Sequence, residues 1–136
     1  MLKPHPWWLF FIPSYFWITL KPNIYHPKGT DPLQFPAVVA HETVHLSQQS
    51  EGNLFMWYLK YAFSRKFRLQ MEAKAIAVEI KFYQNLYPWD VDPVTNFAER
   101  NLQSYADALS SWNYFWAASS KEKAAEAIKK CMSELA

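Results

Sequence analysis

The chain has 136 residues and a mass of 16.1 kDa, enough for one domain with its own core and too few for two. With 51% hydrophobic and 19% charged residues, extended disorder is excluded, and a net charge of +2 leaves no polyanion footprint, so a dedicated nucleic-acid binder is excluded too. A single cysteine, Cys131, rules out an internal disulfide framework and a cysteine-built zinc finger, while an aromatic content of 18% demands a core of large rings, an exposed sticky surface, or both.

In chain order, the stretch from Trp7 to Leu20 is apolar but contains Pro13 and Ser14 and stops at Lys21. It falls short of the roughly 20 residues that span hydrocarbon and lacks the compact aliphatic core of a signal peptide. With neither a leader nor a spanning helix, the expected compartment is the cytoplasm. The rings of Trp7, Trp8, Phe10, Phe11 and Trp17 either cap the core or contact a membrane surface or a protein partner. From Tyr15 to Tyr25, β-branched and aromatic residues around Lys21-Pro22-Asn23 predict two short strands joined by a turn. This strand region also has an edge that an extended peptide can join.

Pro27 to Pro36 reads as loop, and Pro36 starts the first helix, which is expected to reach Gly52. Asn53 caps a short aromatic helix over residues 54–63, in which Phe55, Trp57, Tyr58 and Tyr61 read as core. Ser64 to Lys66 breaks the pattern, and Ser64-Arg65-Lys66-Phe67-Arg68 reads as a solvated basic turn. A third helix is expected over 67–86, ended by Pro88. Pro93 opens a fourth helical region that continues to about Ala118, with Trp112, Tyr114, Phe115 and Trp116 packing it onto the bundle. Ser119 and Glu122 suggest a capping box for a final helix ending near Leu135. The fold class is therefore mainly α (α+β) with a small N-terminal β element. One domain covers 1–136, divided into an aromatic segment over 1–35, site-bearing helices over 36–86 and C-terminal helices over 93–136.

The informative stretch is His41-Glu42-Thr43-Val44-His45. Residues four apart on a helix share a face about 6 Å apart along the axis, so both imidazoles can reach one metal ion. Glu42 then lies beside the ion, where a general base for an activated water belongs. Val38, Glu42, His45, Leu46 and Gln49 share one broad face, and a carboxylate on a core-facing stripe is costly unless something uses it. Zinc in enzymes takes three protein ligands, so a third is required. Glu51, Glu72, Glu79, Glu99, His5 and His26 are the candidates. Glu72 is favoured, because Ala75 and Ile76 on its face let a second helix come close; Glu79, seven residues on, is either the ligand instead or a partner to one. Tyr83, Tyr105 and Tyr114 are candidates for an oxyanion donor.

A strand ending in Ile24-Tyr25-His26-Pro27, then His41-Glu42-x-x-His45-x-x-Gln48, an aromatic helix, and Glu72-x-x-Ala75-x-Ala77 together resemble minimal gluzincin-type zinc peptidase-like domains of bacteria and their phages. The likeness covers roughly Ile18 to Phe82; the Asn-Glu-x-x-Ser-Asp signature of the thermolysin type is absent. It implies a zincin-like domain in which His41, His45 and Glu72 bind Zn2+ and Glu42 activates water. The implied activity is a metallopeptidase acting on a peptide or protein substrate; Tyr83 and Tyr114, from the reading of the helices, are the oxyanion donors expected beside it. The alternatives are a non-enzymatic, zinc-stabilised module that binds a protein or membrane, and a metal hydrolase of a non-peptide amide.

Overall fold

A computed structural model describes residues 1–13, 15–88 and 97–135. Three short strands form one sheet: β1 (Leu2–Pro4), β2 (Ile18–Leu20) and β3 (Asn23–His26), in the order β1-β3-β2. β2 and β3 are the expected hairpin, antiparallel with Thr19 opposite Ile24. β1 runs parallel to β3, with Lys3 opposite Tyr25. It went unforeseen because three residues ending in proline carry no alternation to read.

Five helices follow: α1 (Pro36–Gln48), α2 (Leu54–Phe63), α3 (Arg65–Leu86), α4 (Phe97–Leu109) and α5 (Lys121–Glu134). Pro36 sits in the first turn of α1, where its missing N–H costs nothing. α1 stops at Gln48 rather than at Gly52; Gly52 instead takes a positive φ of 99° in the turn that follows. Asn53 caps α2 by accepting from the Met56 amide at 3.1 Å. Ser64 does the same for α3 through the Phe67 amide, so Ser64–Lys66 is a one-residue joint and not a break.

The C-terminal third differs most from expectation. The start of its fourth region, at Pro93, lies outside the described residues. α4 ends at Leu109, not near Ala118, because Ser110 and Ser111 turn their hydroxyls back onto the helix carbonyls. A 3-10 turn over Trp112–Tyr114 follows, and Phe115 and Trp116 then adopt left-handed φ values of 50° and 48°. The cap of α5 is Ser120, which accepts from the Lys123 amide, one residue later than the expected Ser119 box.

The core lies between α3, α4 and α5, where Ile76 and Ile80 meet Leu102, Leu109 and Ile128. α1 packs on the other side of α3. The buried face of α3 is built of Ala73, Ala75 and Ala77 around Glu72 and Glu79. Small side chains there let the α1 and α3 backbones approach, and that approach is what places two buried carboxylates against the histidines of α1. No helix among the described residues is long and apolar enough to cross a membrane.

Candidate metal centre

His41, Glu42 and His45 all lie on the buried face of α1. The Nε2 atoms of the two imidazoles are 3.2 Å apart. Glu72 approaches from α3 with Oε2 3.6 Å from His41 Nε2 and Oε1 3.4 Å from His45 Nε2. Bonds of about 2.1 Å in a tetrahedral site separate the donors by about 3.4 Å, so this triangle has the size a four-coordinate ion requires.

The far side of each ring fixes which nitrogen is free. His41 Nδ1 is 3.0 Å from Glu79 Oε2, which can only accept from it. His45 Nδ1 is 2.9 Å from Gln48 Oε1. That amide is oriented because its nitrogen donates to the Met71 carbonyl at 3.0 Å. Both protons are thereby assigned to Nδ1, and both Nε2 lone pairs converge on one point. Two lone pairs facing each other at this distance repel unless a cation sits between them. Glu72 Oε2 reinforces the point, being a buried oxygen with no hydrogen-bond partner. Tyr61 of α2 donates to Glu72 Oε1, and Tyr105 of α4 donates to Glu79 Oε1.

Charge points the same way. Glu42, Glu72 and Glu79 are buried, and Arg68 is the one buried guanidinium. Arg68 is held away from the carboxylates by the carbonyls of Tyr61, Ala62, Tyr114 and Phe115. Burial alone would lower the His41 pKa, but hydrogen bonds to Glu72 and Glu79, with the charges of Glu72 and Glu42, push it up to about 10. His45 is likewise raised against its burial, chiefly by the charge of Glu72. Burial would raise Glu72, yet the two histidines hold it well below the usual carboxylate range. The cluster attracts a cation, whether a proton or a metal.

Glu42 is tied separately. Thr19 Oγ1 on β2 donates to Glu42 Oε2 at 2.7 Å and to the Glu42 carbonyl at 3.1 Å. The centre opens into a cavity of about 660 Å3 whose floor includes His41, Glu42, His45 and Glu72. Its walls are mostly apolar, from residues 11–13 and 15–20, from α2 and from residues 112–115.

Among the expected site residues, His41, Glu42, His45 and Glu72 come together, with Glu79 behind His41. Tyr114 lines the cavity; its phenol is held protonated by burial and by the charges of Glu72, Glu42 and Glu79. Tyr83 does not line it, and its hydroxyl lies in the field of Glu79 and Tyr87 instead. Glu51 and Glu99 are exposed, and His5 and His26 lie on or beside the sheet. Tyr61, read from sequence as core, is the partner of Glu72. Phe55 of the same helix is exposed rather than core. Arg68 is buried rather than solvated, and Trp112, Phe115 and Trp116 are exposed rather than packed on the bundle.

The edge of β2 is partly taken. Gln49 Nε2 donates to the Thr19 carbonyl at 2.9 Å, and the Lys21 amide donates to Gln49 Oε1 at 3.0 Å. An incoming peptide strand therefore meets a side chain at both groups. Comparison with protein-family models, curated proteins and solved structures finds no match for this chain.

Proposed function

We propose that the protein is a zinc-dependent hydrolase of peptide-type amide bonds, with His41, His45 and Glu72 as the metal ligands and Glu42 as the general base. The observation that carries this reading is the approach of both Nε2 atoms to each other and to the Glu72 carboxylate, whose Oε2 has no hydrogen-bond partner, in the lining of an open cavity. Nitrogen and oxygen donors in a three-ligand set suit zinc. A structural zinc would be closed by four protein ligands. Among the described residues three come together, and all three line the cavity, so water could complete the set of a bound ion.

When bound, zinc supplies a Lewis acid that polarises a carbonyl and acidifies water to near neutral pH. The chain's own residues do the rest. Glu42, fixed through Oε2 by Thr19, has Oε1 left to accept a proton from the attacking water and return it to the leaving amine. Tyr114, held protonated over the same floor, donates to the oxyanion. Glu79 and Gln48 keep the rings in the tautomer that leaves Nε2 free.

The test pairs metal analysis of the purified protein with cleavage of a peptide library by wild type and Glu42→Gln. The expected result is about one zinc per chain in both, with hydrolysis in the wild type only. Absence of bound zinc after purification without chelators and reconstitution with zinc would overturn the reading, as would full activity in Glu42→Gln.

A further inference from the structure

Two exposed aromatic segments meet at one place. Trp7, Phe10 and Tyr15 of the N-terminal segment are 80%, 83% and 73% exposed, and Trp112 of the C-terminal turn is 63% exposed. Phe11 and Tyr15 line the cavity from one side, and Trp112 and Phe115 line it from another, so both segments belong to its mouth. The second segment is deliberately held. Arg65 and Arg68 bind the carbonyls of Tyr114, Phe115 and Trp116, and two successive left-handed residues turn their rings outward. Non-glycine residues in that conformation are strained, and strain persists where surrounding contacts over-determine it.

Charge is distributed unevenly around these rings. Residues 1–30 contain Lys3, Lys21 and Lys28 and no acidic residue, and residues 54–71 contain the exposed Lys60, Arg65 and Lys66, the buried Arg68 and no acidic residue either. Residues 108–120, which carry the second aromatic segment, have no charge of either sign. Most exposed acids among the described residues, Glu99, Asp107, Glu122, Glu126 and Glu134, are instead on α4 and α5, with Asp31 and Glu51 on either side of α1. Tryptophan and tyrosine with basic neighbours and no acids are the composition that partitions into an anionic bilayer interface.

We propose that the cavity mouth docks peripherally on an anionic lipid surface, its two aromatic segments entering the headgroup region and its lysines facing lipid phosphates. The proposal goes beyond the hydrolase reading and stands without it. If both hold, the cavity opens toward the bilayer, and amide substrates with an apolar portion reach it from there.

The test is sedimentation with vesicles of phosphatidylcholine alone and of phosphatidylcholine mixed with phosphatidylglycerol. Wild type is expected to sediment with the mixed vesicles at low salt and to be released as salt rises. Trp7→Ala/Phe10→Ala and Trp112→Ala/Phe115→Ala should each weaken binding about tenfold while keeping the wild-type circular dichroism. Lys21→Glu/Lys66→Glu should weaken it on mixed vesicles, and Glu42→Gln should bind as wild type does. Failure of folded wild type to sediment with mixed vesicles overturns the proposal. So does binding indifferent to both aromatic pairs, or a dimer in solution that buries these rings and leaves no vesicle binding.

Discussion

His41 and Glu79 are joined across the α1–α3 interface by a 3.0 Å contact between Nδ1 and Oε2, and Tyr105 of α4 holds the other oxygen of the same carboxylate. An imidazole on one helix is thereby positioned through three. Glu79→Gln keeps an acceptor at that place but removes the charge. Zinc affinity, measured by chelator competition, should fall about 10- to 100-fold. An unchanged affinity would show that the Nδ1 contact has no influence on the ion.

Removing a ligand should act differently from removing its support. His45→Ala and Glu72→Gln are expected to lose stoichiometric zinc altogether. Chelation should lower the thermal midpoint of the wild type, because an ion bound only to the folded state stabilises it. The midpoints of these two variants should not respond to chelator. A chelator response equal to that of wild type would mean that the ion sits elsewhere.

The two tyrosines near the floor separate by assay. Tyr61→Phe removes the hydroxyl on Glu72 Oε1 and should reduce zinc affinity. Tyr114→Phe should leave zinc binding intact and lower kcat by about 100-fold, with KM little altered. Equal effects of both on metal content would remove Tyr114 from the oxyanion role.

Metal uptake must displace protons, since the carboxylates raise the proton affinity of both imidazoles and push His41 up to about 10. The sign follows: below that value protons and metal compete, so affinity should rise as pH goes from 6 to 8, by about tenfold per pH unit for each proton released. Calorimetry in buffers of different ionisation enthalpy counts those protons. Uptake with no proton release would contradict the arrangement.

Arg68 closes the end of α2 and the turn over residues 112–116 with four carbonyl contacts. Arg68→Lys keeps the charge but loses the planar fork, and should destabilise the fold by about 2–4 kcal/mol. The urea midpoint should fall with an unchanged slope. A midpoint within experimental error of wild type would mean that the turn is held without it.

The fold was legible where local chemistry is strong. Pro36, Asn53 and the alanine-rich run around Glu72 mark their helices, and His41 and His45 share a face for the reason that any residues four apart do. Gln48 appeared in the pattern, but its work for His45 depends on the Met71 carbonyl from another helix, which spacing does not reveal. Tyr61 was misread because an aromatic helix on a core and one on a cavity wall have the same periodicity. Arg68 was misread because a basic cluster near a helix start is usually solvated, and only tertiary carbonyls explain its burial. The adjacent Ser119 and Ser120 left the start of α5 ambiguous by one residue, and the end of α4 at Leu109 was missed because the serines after it carry no glycine or proline signal.

The Gln49 amide seals β2 at the Thr19 carbonyl and the Lys21 amide, as a rung fastened from the neighbouring helix. A polypeptide arriving beside that strand finds fewer places to hang its main chain. Under the proposed activity, discrimination among substrates would then shift from the ladder to the groove, toward whatever bulky group best fills the aromatic walls.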